Sequence, residues 1–292
     1  MWLNGQSNLS VRCGRNVAIA IAALGLLAAG TSCSSGPQPP QPGTPAFFWA
    51  AANEAYRAGD YLKTSEHLQR ILTTDNEFSA RARAWDTVIT AGVAQAYIEL
   101  ADTWEAGARA NRPDPTPFRK QVSALRALAS AAALQYAEDV HKVVAADKDA
   151  TILLAFVSPA GASAPPAGLK RVASGILVQD SERDLLKAAM VQRGVLLSAC
   201  SAVGSPDDTA AAQEKLKAGD FRAPRDTFLL AAARNLEAQS DLFAYNKLDL
   251  PNRLKLMSQE AVQALAAVPQ SKESKSVNDK IQARLKKARL TL

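Results

Sequence analysis

Apolar residues recur every three or four positions along most of the chain, which is the spacing of one face of an α-helix. Within residues 79–110 one such face consists of Trp85, Ile89, Val93, Ala96, Leu100 and Trp104. The sequence NRPDPTPF ends this helix, and a second long helix is predicted from Thr116, as N-cap, to about residue 146. Both predicted helices are much longer than the average of about 11–12 residues.

A pair of shorter helices is predicted before them, in residues 47–72. Gly59 separates the two, because glycine readily adopts the positive φ that ends a helix. The spacing of small and bulky residues resembles a tetratricopeptide unit at Ala52, Ala55, Gly59, Leu68 and Ile71. Thr64 stands where that family usually has a second-helix alanine. The resemblance implies a hairpin of two antiparallel helices.

A second hairpin of this type is predicted around residues 217–243, where AGDF repeats the earlier AGDY. Gly219 takes the place of Gly59, and Pro224 must open the following helix. The wide separation of the two glycines indicates recurrence of a unit type, not a tandem repeat. The fold class predicted is all-α, an irregular tetratricopeptide-like array of helical hairpins with longer central helices.

Residues 147–168 interrupt the helical pattern with an apolar run and a loop rich in Ala, Pro and Gly. We expect a joint there, between an N-terminal helical subdomain at 47–146 and a C-terminal one at 169–292. Residues 152–157 fit either a buried strand or a last helical turn, since so short a run has no decisive period. A loop packed on the helices is favoured over a ligand lid.

Helix starts are predicted in the C-terminal half at Ser181, at Ser205 and after Pro251. The last helix has an apolar stripe of Val277, Ile281 and Leu285 surrounded by lysine and arginine. Such a helix can lie on anionic lipid. It can equally cap the fold with its charged face in solvent, and this second interpretation is favoured.

The first 32 residues are predicted to be a secretory signal peptide. Two arginines, Arg12 and Arg15, precede an uncharged apolar run at residues 17–29, and small residues follow it. This pattern is typical of an export signal. The run is well short of the ~20 residues that cross a bilayer as a helix.

Small residues followed by Cys33 resemble the lipobox of bacterial lipoproteins, whose cysteine is alkylated by diacylglycerol. Gly30 departs from the aliphatic residue usual three positions before that cysteine. The resemblance implies lipidation at Cys33, a Pro-rich tether at 33–46 and, because Ser34 follows, an outer-membrane location with the body in the periplasm. Ordinary cleavage after Ser32, leaving Cys33 as a free thiol, is the alternative.

Charge and chemistry exclude several functions. Without residues 1–32 the chain has 32 basic and 28 acidic residues, a net charge of +4, too mild to indicate a nucleic-acid partner. Cys200 would then be the only cysteine besides Cys33, so no internal disulfide is expected. Glycine-rich phosphate loops, nucleophile elbows and paired metal-binding histidines are absent from the sequence. We expect no catalytic residues, no metal, no cofactor and no enzyme activity.

Two functions fit these features. The first is a lipid-anchored helical scaffold or adaptor that binds a protein partner in the bacterial cell envelope, since stacked hairpins form extended grooves. The alternative is a small-ligand-binding accessory lipoprotein of a solute import system. Candidate groove or packing residues for either function are Trp49, Trp85, Tyr97 and Trp104.

Overall fold

Ten α-helices and a two-stranded sheet make up residues 40–292, the part of the chain that the computed structural model describes. The helices are α1 (Pro45–Arg57), α2 (Tyr61–Ile71), α3 (Ser79–Ala110), α4 (Thr116–Ala146), α5 (Gly168–Ala173), α6 (Asp180–Ala202), α7 (Thr209–Leu216), α8 (Arg225–Ser240), α9 (Pro251–Ala266) and α10 (Lys272–Lys287). The strands are β1 (Thr151–Leu154) and β2 (Phe221–Pro224). The predicted all-α class is confirmed. The predicted signal peptide, Cys33 and the tether up to residue 39 lie outside the described residues.

Helix α3 lies at the centre of the fold. It packs against α4 and α6 along much of its length and also contacts α2, α5, α8 and β1. All six residues of its predicted apolar face are buried. The opposite faces are buried too, including Thr87, Ala91 and Ala94. The middle of α3, residues 84–94, is buried on every side, and small or apolar residues occupy most of these positions.

Helices α3 and α6 approach each other most closely at Gly92 and Gly194. A Cβ atom added at Gly92 would lie 2.5 Å from the Cα of Val195. A Cβ atom added at Gly194 would overlap the carbonyl oxygen of Gly92. Only glycine fits on both sides of this contact, so the two glycines set the separation of the helices.

The first predicted pair of helices is present as α1 and α2, which pack against each other. Gly59 lies between them with a φ of 76°. Asp60 caps α2, because its carboxylate accepts a hydrogen bond from the backbone N–H of Lys63. Ala52, Leu68 and Ile71 are fully buried in this hairpin.

The prediction of a second hairpin is wrong. Gly219 has a φ of 74°, but the chain then enters strand β2, and α8 begins only at Arg225. Helix α7 packs on α6, whereas α8 packs on α9 and α4. The segment after Gly219 is extended because it pairs with β1, in an antiparallel register from Thr151 opposite Pro224 to Leu154 opposite Phe221.

Residues 147–168 contain that partner strand, so the first part of the ambiguous apolar run is a strand. Beyond it, Phe156 is buried and stacks on Trp85, and the hydroxyl of Tyr56 donates a 2.9 Å hydrogen bond to the carbonyl of Val157. Helices before and after the segment share one hydrophobic core. The predicted joint therefore lies inside one compact unit that spans residues 40–292.

Some predicted helix starts shift by a few residues. Helix α6 begins at Asp180 rather than after Ser181. Helix α7 begins at Thr209 and is capped by Asp208, whose carboxylate accepts a hydrogen bond from the N–H of Ala211. The apolar stripe of α10 is buried against the rest of the fold, as expected for a capping helix.

We predict that Gly92→Ala destabilises the protein, by up to about 2 kcal/mol once the gain in helix propensity is subtracted from the cost of overpacking. Alanine has the higher helix propensity, by about 1 kcal/mol, but its Cβ would meet the backbone of α6, which cannot move without separating the core helices. Overpacking of this kind typically costs about 1–3 kcal/mol. Urea denaturation of both proteins measures the change in unfolding free energy.

Gly59→Ala is the matched control. A Cβ atom at Gly59 meets nothing within 4 Å, so only the positive φ opposes it, at a cost of about 1 kcal/mol. A Gly92→Ala variant as stable as the wild type would contradict the close helix contact.

Candidate functional site

Of the four aromatic residues singled out from the sequence, Trp85, Tyr97 and Trp104 lie in the packed interior, and Trp49 is half-buried against it. Trp85 is fully buried, and Trp49 packs edge-on against it with ring centroids 5.3 Å apart. Trp104 packs on Phe118, and Tyr97 is buried farther along α3. They are packing residues, and none of them lines the clefts described below.

The most unusual polar feature is a pair of buried aspartates. Asp86 on α3 and Asp139 on α4 are both completely inaccessible to solvent. The side-chain amide nitrogen of Gln69 on α2 donates hydrogen bonds to both carboxyl groups, including one of 3.3 Å to Asp139 Oδ1. Three helices therefore meet at one polar cluster inside the core.

Neutral donors provide the other hydrogen bonds to this pair. Ser65 Oγ donates to Asp86 Oδ1 at 2.6 Å. Thr90 Oγ1 lies 3.0 Å from Asp139 Oδ2, and the amide nitrogen of Gln135 donates to Asp139 Oδ1 at 3.0 Å. The favourable charge that acts on the pair is the ammonium of Lys142 on α4.

Burial governs the protonation of both groups. It raises the pKa of Asp86 well above the usual range, and the nearby carboxyl of Asp139 raises it further. Burial also raises the pKa of Asp139, to about 6, although its hydrogen bonds oppose the change. Two close carboxyl groups in a dry site resist double ionisation. The pair therefore keeps a proton at pH values where exposed aspartates are ionised.

An open cleft of about 570 Å³ lies over this pair. We call it the hairpin cleft, and its lining residues are Phe48, Ser65, Glu66, His67, Gln69, Arg70 and Gln135. Three of these, Ser65, Gln69 and Gln135, are the donors to the aspartates. The buried pair therefore fixes the polar floor of the cleft. Phe48 stacks on His67 at its side.

A second cleft of about 530 Å³ lies between the C-terminal turns of α3 and the first turns of α4. We call it the arginine cleft. It is lined by Glu105, Ala108, Arg109, Arg112, Pro115, Arg119, Val122, Ser123 and Arg126. Within the cleft, Arg126 Nη2 forms a close ion pair with Glu105 Oε2, at 2.8 Å. The side chains are suited to binding a negatively charged group.

Other reactive side chains are separate from one another. His67 lies in the hairpin cleft, whereas His141 contacts Glu260 through a 3.1 Å hydrogen bond. Cys200 is buried, and burial raises the pKa of its thiol. Within residues 40–292, no three His, Cys, Asp or Glu side chains converge as metal ligands.

The aspartate pair was not predicted from the sequence. Glu138 and Asp139 are adjacent acids of one helix, but only Glu138 is solvated, since it pairs with Lys142 at the surface. A signal was present. Polar residues stand four positions apart on each of three predicted helices, at 65 and 69, at 86 and 90, and at 135 and 139, so each couple lies on one helix face.

Comparisons of the chain with protein-family models, with curated protein sequences and with solved structures find no match. Among the helices of residues 40–292, none is both long and apolar enough to span a membrane.

We predict that the protein loses stability as the pH rises through the pKa of the pair. A carboxyl group whose pKa is raised by folding binds its proton more tightly in the folded state. Its stabilisation is complete below the unfolded pKa of about 3.9 and is lost as the pH passes the folded value, which is about 6 for Asp139. Urea denaturation from pH 4 to pH 8 measures the slope, at most about 1.4 kcal/mol per pH unit for each proton.

Asp139→Asn should reduce this slope. The Asn oxygen can accept from both glutamines, while its NH₂ group can donate to Thr90 Oγ1, so the hydrogen bonds are kept without the charge. Glu138→Gln, one position away on the surface, is the control and should keep the wild-type slope. Equal slopes in all three proteins would show that Asp139 does not titrate in this range.

Proposed function

We propose that the chain is an exported, lipid-anchored adaptor of the bacterial cell envelope, and that its hairpin cleft binds a segment of a protein partner. Residues 1–32 as a signal peptide, Cys33 as the lipidation site and the Pro-rich tether support export and anchoring. The proposed address is the outer membrane, with the body in the periplasm, because Ser34 follows the cysteine. The helical hairpin of α1 and α2 supports the resemblance to tetratricopeptide units.

The observation that carries the adaptor proposal is the preorganised floor of the hairpin cleft. Gln69 is held by two buried carboxyl groups, and Ser65 and Gln135 by one each. Side chains that are fixed before binding lose less entropy when a partner docks. The cleft is open and combines an aromatic ring with exposed Glu66 and Arg70, a mixture that suits a peptide segment with polar and apolar side chains.

The small-ligand alternative depended on aromatic side chains that would line a pocket. Trp85, Tyr97 and Trp104 are instead buried against their neighbours, and Trp49 packs on Phe78 and Trp85. Their positions support a structural role, so the adaptor is the function that the geometry favours.

We predict that Cys33→Ala releases the protein from the membrane to the soluble periplasmic fraction. Without the thiol no thioether to diacylglycerol can form, and two or more acyl chains are needed for firm anchoring. Fractionation of cells that express each protein measures the distribution. Full membrane retention of the variant would contradict the anchor, provided that both proteins are exported.

We predict that exchanging the two exposed charges of the hairpin cleft, with Glu66→Arg and Arg70→Glu, abolishes partner capture. The double variant keeps the net charge and alters only the rim of the cleft, so its unfolding free energy should stay within about 0.5 kcal/mol of the wild type. Photo-crosslinking from position 67 in intact cells, followed by mass spectrometry, measures the capture.

The matched control exchanges Glu214 of α7 and Lys217, which follows the last residue of that helix; they are another highly exposed pair one turn apart. This variant should capture the same partner as the wild type. Adducts that are identical in all three proteins, or absent from the wild type, would count against the hairpin cleft as the partner site.

A further inference from the structure

We propose that the arginine cleft is a binding site for a phosphate group, carried either by a soluble phosphate ester or by a phospholipid headgroup. Nothing in the adaptor proposal requires this site, and the two proposals depend on different residues.

Helix geometry places the arginines on one cleft. Arg109 lies in the last turn of α3 and Arg112 in the connection that follows it, while Arg119 and Arg126 lie two turns apart on α4. The two helices are joined by a short turn and pack against each other, so they run antiparallel. The four guanidinium groups line the space between them.

The charges in this cleft are not balanced. Glu105 is its one acidic lining residue, at 2.8 Å from Arg126 and 3.9 Å from Arg109. Within residues 40–292, neither Arg112 nor Arg119 has a carboxylate within the 4.0 Å of an ion pair. Four positive charges therefore face one negative charge.

Helix dipoles do not account for this potential. The C-terminus of α3 and the N-terminus of α4 meet at this end of the helix pair, and their partial charges have opposite signs. The positive potential of the cleft comes from the arginine side chains.

Phosphate is the anion that matches this set of residues. Guanidinium groups bind phosphate oxygens through pairs of parallel hydrogen bonds. A phosphate monoester carries about −1.5 to −2 charges at neutral pH, nearer to the surplus of the cleft than a single carboxylate. Arg126 is held by Glu105, while exposed Arg112 and Arg119 can close on the ligand. A cleft of about 530 Å³ has room for a larger group attached to the phosphate.

The test uses the full chain with Cys33→Ala, so that an acyl chain does not contribute to binding. Calorimetric titration with inorganic phosphate and glycerol 3-phosphate measures affinity at low salt. Arg112→Gln with Arg119→Gln should weaken binding by at least about tenfold, because hydrogen bonds between charged groups are lost. Both residues lack ion pairs, so the variant should fold normally, and circular dichroism checks this.

The matched control is Arg57→Gln with Arg222→Gln. These two exposed arginines lie outside the cleft, and their removal lowers the net charge by the same amount. The control should bind as the wild type does. Equal weakening in the two double variants, or no saturable binding by the wild type, would overturn the proposal.

Vesicle flotation distinguishes the two sources of the phosphate. Binding to phosphatidylcholine vesicles that contain phosphatidic acid, lost in the cleft variant and kept in the control, would assign a lipid headgroup. Binding of glycerol 3-phosphate with no difference in flotation would assign a soluble ester. The exchange of Glu66 and Arg70 should leave phosphate binding unchanged, so failure of the adaptor proposal is separable from failure of this one.

Discussion

The contact between Gly92 and Gly194 is the constraint on which the rest of the fold depends. It lets α3 and α6 approach until one backbone touches the other. With α4 packed on another side, α3 is then buried along most of its length. The middle of the helix, residues 84–94, has no solvent-facing stripe, so a polar residue there needs a partner inside the protein. Asp86 and Thr90 are such residues, and their partners define the hairpin cleft.

The aspartate pair illustrates the cost of placing polar groups in that interior. A buried carboxyl group without a cation at contact distance is more stable when protonated, which is why the pKa of Asp139 rises to about 6. Apolar residues of similar volume would pack at least as stably in many cores. In exchange, the aspartates orient their neighbours: Ser65, Gln69 and Gln135 are each held in one orientation where they reach the surface. Stability is thus exchanged for a defined surface, which is the property that a binding cleft needs.

Periodicity predicted the helical parts of this fold well and the contacts between them poorly. The end of α3 agrees with the break predicted at NRPDPTPF. Proline ends a helix through local steric effects, which do not depend on contacts with distant residues. The AGDF segment misled for the opposite reason. Gly219 lies in a turn in the predicted hairpin and in the observed structure alike. The residues after it are extended only because they pair with β1, a segment distant in sequence. The aspartate pair is not evident from the sequence for a similar reason, since Asp139 and Asp86 lie on different helices. The arginines of the arginine cleft likewise come together only when α3 and α4 fold back on each other.

The length of α3 separates the two clefts. The hairpin cleft lies at the N-terminal end of α3, near Asp86, and the arginine cleft at its C-terminal end, near Arg109. With a rise of 1.5 Å per residue, these positions are roughly 35 Å apart along the helix. Sites so distant contribute to binding independently unless the structure between them moves. The glycine contact of α3 with α6 lies between the clefts and leaves little room for such movement. A protein partner and a phosphate group can therefore be bound at the same time, at opposite ends of α3.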